Sequence, residues 1–179
     1  SVSDLNTLGF NTNVVFGSGN DHGPDISSSS SFSIAENQTS IGTVTATDAD
    51  GDTLSYAVSG TDATSISINS TSGTLSFKTP PDYESKSSYS ITVTVSDGTN
   101  ESRQAITVTV TDVNDAPVFT SESTFSAAEN QTAIGSVTAT DADSGDSVTF
   151  TVSGSELLIT SAGVLTFVSA PDYETKTSY

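Results

Sequence analysis

The sequence contains no cysteine, methionine or tryptophan, a single histidine, and only 4 basic residues against 22 acidic ones. The missing cysteine excludes a disulfide scaffold and a thiol enzyme, and with one histidine it argues against zinc or copper. A formal net charge of −18 excludes nucleic acid as a partner, because so acidic a surface repels phosphate groups. No apolar run approaches the ~20 residues of a membrane span, so membrane insertion is not expected.

An internal repeat organises the chain. The stretch from Phe32 to Asp50 returns almost unchanged as Phe125 to Asp143, and Asp-Tyr-Glu at Asp82 returns at Asp172. A repeat unit of this length is a full domain. The predicted organisation is therefore an N-terminal segment 1–23, a first domain 24–116 and a second domain 117–179.

Apolar residues alternate with small or polar ones along most of both copies. Leu54, Tyr56 and Val58 alternate with Ser and Ala, while the apolar residues of 91–95 and 106–110 alternate with Thr. This period of two predicts strands, and the Gly, Asn and Asp residues between the runs predict turns. The predicted fold class is all-β, with tandem Greek-key β-sandwiches of immunoglobulin-like architecture.

The second copy is shorter than the first. Tyr179 aligns with Tyr89, so the second copy ends before counterparts of the last two predicted strands, 90–96 and 104–111. The favoured interpretation is a fragment of a longer array. The alternative is a filament subunit whose second sandwich is completed by a donor strand from a neighbour, with Val14–Phe16 as the candidate donor.

Acidic motifs recur at strand ends and in the linker between the copies. Several carboxylates close together repel one another, and a hard cation such as calcium, which takes six to eight oxygen ligands, removes that repulsion. A single Asp-Ala-Asp motif is better interpreted as a turn former. The whole set favours calcium over turn formation and solubilising charge.

The motifs, taken in order, resemble the cadherin repeat. They are Ala-Glu-Asn at Glu36, Val-Thr-Ala-Thr-Asp-Ala-Asp ending at Asp50, Asp-Tyr-Glu at Asp82, Thr-Val-Ser-Asp-Gly at Asp97, and Asp-Val-Asn-Asp-Ala-Pro at Asp112. The Ser/Thr-rich, Cys-free style is similar to cadherin-like arrays of bacterial surface proteins. The resemblance implies calcium ions between successive domains.

The resemblance also implies a ligand set. The site between the copies would use Glu36, Asp82, Glu84, Asp112, the Asn114 carbonyl, Asp115, Asp141 and Asp143. A partial site above the first copy would use Asp48, Asp50, Asp97 and Asp21. The second copy would hold a further group, Glu129, Asp172 and Glu174. Ala116 replaces the Asn that commonly ends the family's linker motif, so two central ions are expected before three.

The sequence thus predicts a calcium-binding, calcium-rigidified structural or adhesive module of a multidomain surface protein, located outside the cell. Its expected partners are neighbouring domains or subunits and, further, a cell-surface protein or a glycan. A calcium-dependent carbohydrate-binding module is a third candidate. No enzyme is expected, because the acids recur in both copies at domain ends and a lone loop histidine, His22, supports no catalytic triad.

Overall fold

A computed structural model describes residues 22–179, and every regular element in this range is a β-strand. The predicted all-β fold class is confirmed. Asp21 and the candidate donor Val14–Phe16 lie outside the described residues. The chain divides into two compact units, the first ending at Asp112 and the second comprising Val113–Tyr179. None of the described residues forms a helix long and apolar enough to span a membrane.

Unit 1 is a β-sandwich of two principal sheets. A four-stranded sheet has the order β2-β9-β8-β5, a three-stranded sheet has the order β3-β7-β6, and β1 pairs with β4. The strands are β1 Asp25–Ile26, β2 Ser31–Ala35, β3 Ser40–Thr43, β4 Ala46–Thr47, β5 Ser55–Ser59, β6 Ile66–Ile68, β7 Thr74–Phe77, β8 Ser88–Ser96 and β9 Glu101–Thr111.

The alternating apolar residues face a single core between these sheets. Val93, Val95, Val108 and Leu75 are completely buried, whereas the threonines beside them on β8 and β9 are half-buried or exposed. Burying a Val or Leu side chain contributes about 1.5–3 kcal/mol. The long β8–β9 hairpin therefore contributes strongly to the stability of unit 1, because its side chains supply half of the buried apolar core.

One strand pair is parallel and determines where the functional residues lie. β2 runs parallel to β9, with Ser31 opposite Thr107 and Ala35 opposite Thr111. The two strands therefore end at the same edge of the sheet, and the residues that follow them emerge side by side.

Unit 2 contains five strands in two small sheets. One sheet has the order β11-β14-β13, and β10 pairs with β12. The strands are β10 Val118–Phe119, β11 Ala133–Ser136, β12 Ala139–Thr140, β13 Leu157–Ile159 and β14 Val164–Phe167. They repeat β1, β3, β4, β6 and β7, and residues 113–179 form no strands that correspond to β2, β5, β8 or β9.

One apolar face of unit 2 is open to solvent. A groove of about 560 Å³ is lined by Phe125, Ile134, Leu165 and Phe167, among others. In unit 1 the matching face is covered by the β8–β9 hairpin. Gly163 is the only residue of 113–179 that is fully buried.

Candidate metal sites

The first acidic group forms at the edge where β2 and β9 end together. Glu36 directly follows β2, Asp112 directly follows β9, and the Glu36 amide donates to the Thr111 carbonyl oxygen at 3.0 Å. The parallel pairing of β2 with β9 thus brings Glu36 and Asp112, which are far apart in the sequence, close together. Glu84 completes the group, and one carboxylate oxygen from each of the three lies within 4.8 Å of the others.

Glu84 is brought to this edge by a turn spanning Asp82–Lys86. The Lys86 amide donates to the Asp82 carbonyl at 2.9 Å, which closes the turn. The Tyr83 amide donates to Glu36 Oε2 at 3.0 Å and ties the turn to the end of β2. The predicted ligands Glu36, Glu84 and Asp112 therefore do converge.

This group brings together one buried and two exposed acids. Glu36 is only 2% exposed and is the one buried charged side chain among residues 22–179. Two charges about 4 Å apart interact by about 1 kcal/mol in water and about 4 kcal/mol at an effective dielectric constant of 20. Three such acids fit a divalent cation with oxygen ligands, and calcium takes carboxylates of this kind.

The chain's basic side chains contact other groups. Lys86 pairs with Asp62, Arg103 with Glu101 and Lys176 with Glu156, while Lys78 donates to the Thr64 carbonyl. These contacts of the four basic side chains thus involve residues other than Glu36, Glu84 and Asp112.

Asp82, another predicted ligand, makes hydrogen bonds within the turn. Its carboxylate accepts hydrogen bonds from the Ser85 amide at 3.0 Å and the Ser85 hydroxyl at 2.9 Å. These bonds lower the pKa of Asp82, with the Ser85 amide contributing most. The structure therefore places Asp82 as a cap of the turn that presents Glu84, and it is not a member of the group of three.

Unit 2 has a similar group at the corresponding end. Glu129, Asp172 and Glu174 converge within 4.8 Å, and all three are exposed. The Tyr173 amide donates to Glu129 Oε2 at 3.1 Å, just as Tyr83 does to Glu36. The contact between the tyrosine amide and the glutamate thus recurs, but the third acid differs. Asp172, the counterpart of Asp82, belongs to this group, whereas Asp112 completes the group in unit 1.

A second kind of acidic group follows β4 in unit 1. Asp48, Asp50 and Asp52 each offer an oxygen within 4.8 Å of the others. Asp48 Oδ1 accepts the Asp50 amide at 2.9 Å and the Asp52 amide at 3.4 Å. Asp48 Oδ2 is inaccessible and has no hydrogen-bond partner among the described residues. A buried carboxylate oxygen left unbonded is costly, and coordination to a cation would satisfy it.

Unit 2 repeats this second group after β12. Asp141, Asp143 and Asp146 converge within 4.8 Å, and Asp141 Oδ1 accepts the Asp143 amide at 3.1 Å. Asp143 Oδ2 accepts the Asp115 amide at 2.6 Å. The predicted pair Asp141 and Asp143 is thus brought together, with the linker residue Asp115 next to it.

Two of the remaining predicted residues, Asp97 and Asn114, make hydrogen bonds to nearby residues in the sequence. Asp97 Oδ1 accepts the Thr99 and Asn100 amides at 2.7 and 2.6 Å, so Asp97 shapes the β8–β9 turn and is not in the Asp48 group. The Asn114 side-chain amide donates to the Asp115 carbonyl at 2.6 Å. Asp21 is outside the described residues. The next residue, His22, contacts the Asp50 carboxylate through its amide at 3.2 Å and through Nδ1 at 3.3 Å.

Sequence reasoning missed Asp52 and Asp146. Each is the third acid of its group, and each lies beyond the Asp-Ala-Asp motif. The signal was present, because an acid follows a glycine after Asp-Ala-Asp in both copies. Extending the motif to this next acid would have found them.

A protein-family model agrees with the resemblance that the motifs indicated. Residues 30–111 match the family model described as the cadherin domain. This stretch is a cadherin domain. The cadherin resemblance predicted from the motifs is therefore confirmed for unit 1.

Curated relatives with cadherin names match across more of the chain. Mouse cadherin-related family member 2 is 37% identical over 106 residues, covering 56% of this chain. Mouse protocadherin Fat 4 is 33% identical over 182 residues, covering 89% of this chain. The chain spans only 8% and 4% of the length of these two relatives. Both relatives are mouse proteins, so the predicted similarity to bacterial arrays is not borne out by them.

Solved cadherin structures share the fold. Human protocadherin-24 EC1-2, form II, aligns with a TM-score of 0.64 at 23% identity, covering 86% of this chain and 81% of that structure. Drosophila N-cadherin EC1-4 aligns with a TM-score of 0.59 at 25% identity, covering 86% of this chain and 42% of that structure. The β-sandwich prediction agrees with these neighbours.

Proposed function

We propose that this chain is a calcium-binding structural and adhesive module of an extracellular protein. The observation that carries the proposal is the convergence of buried Glu36 with Glu84 and Asp112 within 4.8 Å. Asp48 Oδ2 in the second acidic group, which has no hydrogen-bond partner among residues 22–179, supports it independently. All of these donors are hard oxygens, which suits calcium and not zinc or copper.

Calcium would act here by linkage. An ion that binds the folded arrangement of acids, and not the unfolded chain, stabilises the fold by about 2.7 kcal/mol at a hundred times its Kd. The same ion offsets the mutual repulsion of the acids that the fold brings together. Extracellular modules bind calcium with Kd values of about 0.1–1 mM, a range in which calcium outside the cell is effective.

We propose an extracellular location, which the family supports, since cadherin domains are known from extracellular and cell-surface proteins. Cadherin domains are adhesion domains, which agrees with the prediction that this chain is not an enzyme. We propose neighbouring domains of the same protein or neighbouring subunits as its direct partners, and a cell-surface protein or glycan as the adhesion target. The sharing of ions between the two copies stays a prediction from the sequence.

The two other functions predicted from the sequence are not favoured. The comparisons return cadherins, and they support neither a filament built by donor-strand exchange nor a carbohydrate-binding module.

The proposal is tested by calcium titration of the whole chain. Isothermal titration calorimetry should detect calcium binding in the sub-millimolar to millimolar range, and magnesium should bind more weakly because it demands a tighter octahedral geometry. Thermal unfolding in 2 mM chelator and in ~5 mM calcium should show a higher Tm with calcium, by several degrees for a domain of this size.

Ionic strength is the control for this experiment, because any cation screens an acidic protein. Calcium and chelator samples are therefore compared at equal, physiological ionic strength. An identical Tm in the two solutions, together with no binding heat, would exclude the proposed function.

A further inference from the structure

Lys86 closes the turn that carries Glu84, and its side chain reaches away from the acidic group. Lys86 Nζ donates to Asp62 Oδ1 at 2.5 Å, while Asp62 Oδ2 accepts the Ser90 amide at 2.8 Å. The Asp62 side chain is only 13% exposed. The lysine thus connects the end of the turn with the Asp62 loop and the first residues of β8.

A chain of contacts continues from this ion pair to the core. The Lys86 ammonium lies 4.7 Å from the centre of the Tyr89 ring. Tyr89 packs edge-on against Phe77 with ring centres 4.8 Å apart, and Phe77 is buried in the core. The side chain of Lys86 is therefore held between an anion and an aromatic face.

The same arrangement recurs in unit 2 with altered residues. Lys176 Nζ donates to Glu156 Oε2, and its ammonium lies 4.4 Å from the centre of the Tyr179 ring. Tyr179 packs edge-on against Phe167 with ring centres 4.9 Å apart. Glutamate replaces aspartate and the segment between this acid and the next strand is shorter, yet the ion pair is kept.

The ion pair between Lys86 and Asp62 adds little to the stability of the fold. Asp62 is 13% exposed but Lys86 is 43% exposed, so water screens the pair and its contribution to stability is on the order of 1 kcal/mol. Its location indicates a more specific role, because one end of the turn is tied to Glu36 through the Tyr83 amide and the other end to Asp62 through Lys86. Glu84 lies between these two attachments.

We propose that Lys86 is a positioning residue for the calcium site, and that its pair with Asp62 holds the turn so that Glu84 meets Glu36 and Asp112. The proposal rests on the calcium function proposed above. It assigns to the pair a role in ion affinity that is separate from its small effect on stability.

Charge and position predict opposite effects of removing this lysine. If Lys86 acted only as a positive charge near an acidic site, its removal would strengthen the attraction for a divalent cation. If Lys86 positions Glu84, its removal leaves the Glu84 side chain less ordered. Calcium binding must then order this ligand, and that entropy cost weakens binding. The sign of the change in Kd separates the two roles.

The test is a residue-resolved calcium titration by NMR of the whole chain, following the Tyr83 and Ser85 amides. Lys86→Met should weaken binding at this site by about three- to tenfold. Asp62→Asn should also weaken it, and Lys86→Arg should restore most of the affinity. Lys78→Met is the matched control, because it removes the same charge from a lysine that donates to the Thr64 carbonyl outside the turn. It should leave the Kd unchanged or slightly lower.

A second measurement needs no calcium. In chelator, hydrogen exchange of the Ser85 and Lys86 amides, which both donate to Asp82, should be faster in Lys86→Met than in the parent and unchanged in Lys78→Met.

Equal or tighter calcium binding by a folded Lys86→Met variant would overturn the proposal. A parent protein without calcium-dependent shifts would instead refute the calcium function on which it rests.

Discussion

At the scale of single residues, Glu36 shows that the role of an acidic residue depends on its position in the fold. In the sequence it is one of 22 acidic residues, but in the fold it is 2% exposed and faces Glu84 and Asp112. We expect the repulsion among these acids to lower the stability of the calcium-free protein.

Glu36→Gln is therefore predicted to change stability with opposite signs in two solutions. In chelator the variant should be more stable than the parent by about 1 kcal/mol, because one charge of the repelling group is gone and the amide oxygen can still accept the Tyr83 amide. In ~5 mM calcium it should be less stable than the parent, because a ligand is lost. Thermal unfolding of both proteins in both solutions measures the two differences.

Glu101→Gln is the matched control for this prediction. Glu101 is exposed and pairs with Arg103, so its substitution should change stability by less than about 0.5 kcal/mol in either solution. A Glu36→Gln variant that is destabilised equally with and without calcium would contradict the prediction.

At the scale of elements, the β6–β7 hairpin depends on one glycine. Gly73 has a φ of +70°, and a Cβ atom there would lie 2.3 Å from the carbonyl oxygen of Val44 and 3.0 Å from the Tyr56 ring. Its own carbonyl accepts the Val44 amide at 2.9 Å, which links the hairpin to the segment between β3 and β4. Gly163 makes the same close approach to Val137 in unit 2.

Gly73→Ala is predicted to destabilise unit 1 by more than about 2 kcal/mol, because steric overlap with backbone adds to the cost of a left-handed conformation. Gly51→Ala is the matched control, since Gly51 has a φ of +81° with open space around it. It should cost only about 1 kcal/mol. Urea unfolding of the two variants measures the difference, and equal losses would show that the contact with Val44 is unimportant.

At the scale of the whole molecule, the two units differ in how much apolar surface they bury. All twelve buried hydrophobic residues of residues 22–179 lie in unit 1, whereas large apolar residues of unit 2 such as Phe119, Leu158 and Val168 are at least half exposed. The β8–β9 hairpin supplies six of these twelve residues, and residues 113–179 form no counterpart of it.

Native-state hydrogen exchange should report this difference. We predict that amides of β8 and β9 near Val93 and Val108 exchange only through global unfolding of unit 1. Amides of β13 and β14 should exchange orders of magnitude faster, because less burial opposes their opening. Equal protection of both sets of strands would contradict the prediction.

Much of the fold follows from local patterns in the sequence. The period of two in 91–95 and 106–110 predicted the strands β8 and β9, and the repeat predicted that both copies share one architecture. The motif around Glu36 and the Asp-Tyr-Glu motif at Asp82 also indicated which segments carry ligands. These features are local, so they can be interpreted without a structure.

The ligand groups themselves depend on tertiary pairing. The sequence by itself determined the all-β class, the repeat and the acidic character of the motifs, since each follows from residue type and spacing. Only the parallel pairing of β2 with β9 put Asp112 beside Glu36, and only the turn geometry made Asp82 a cap for Ser85 while Glu84 joined the group. Convergence of residues far apart in the chain depends on long-range strand register, which local spacing does not encode.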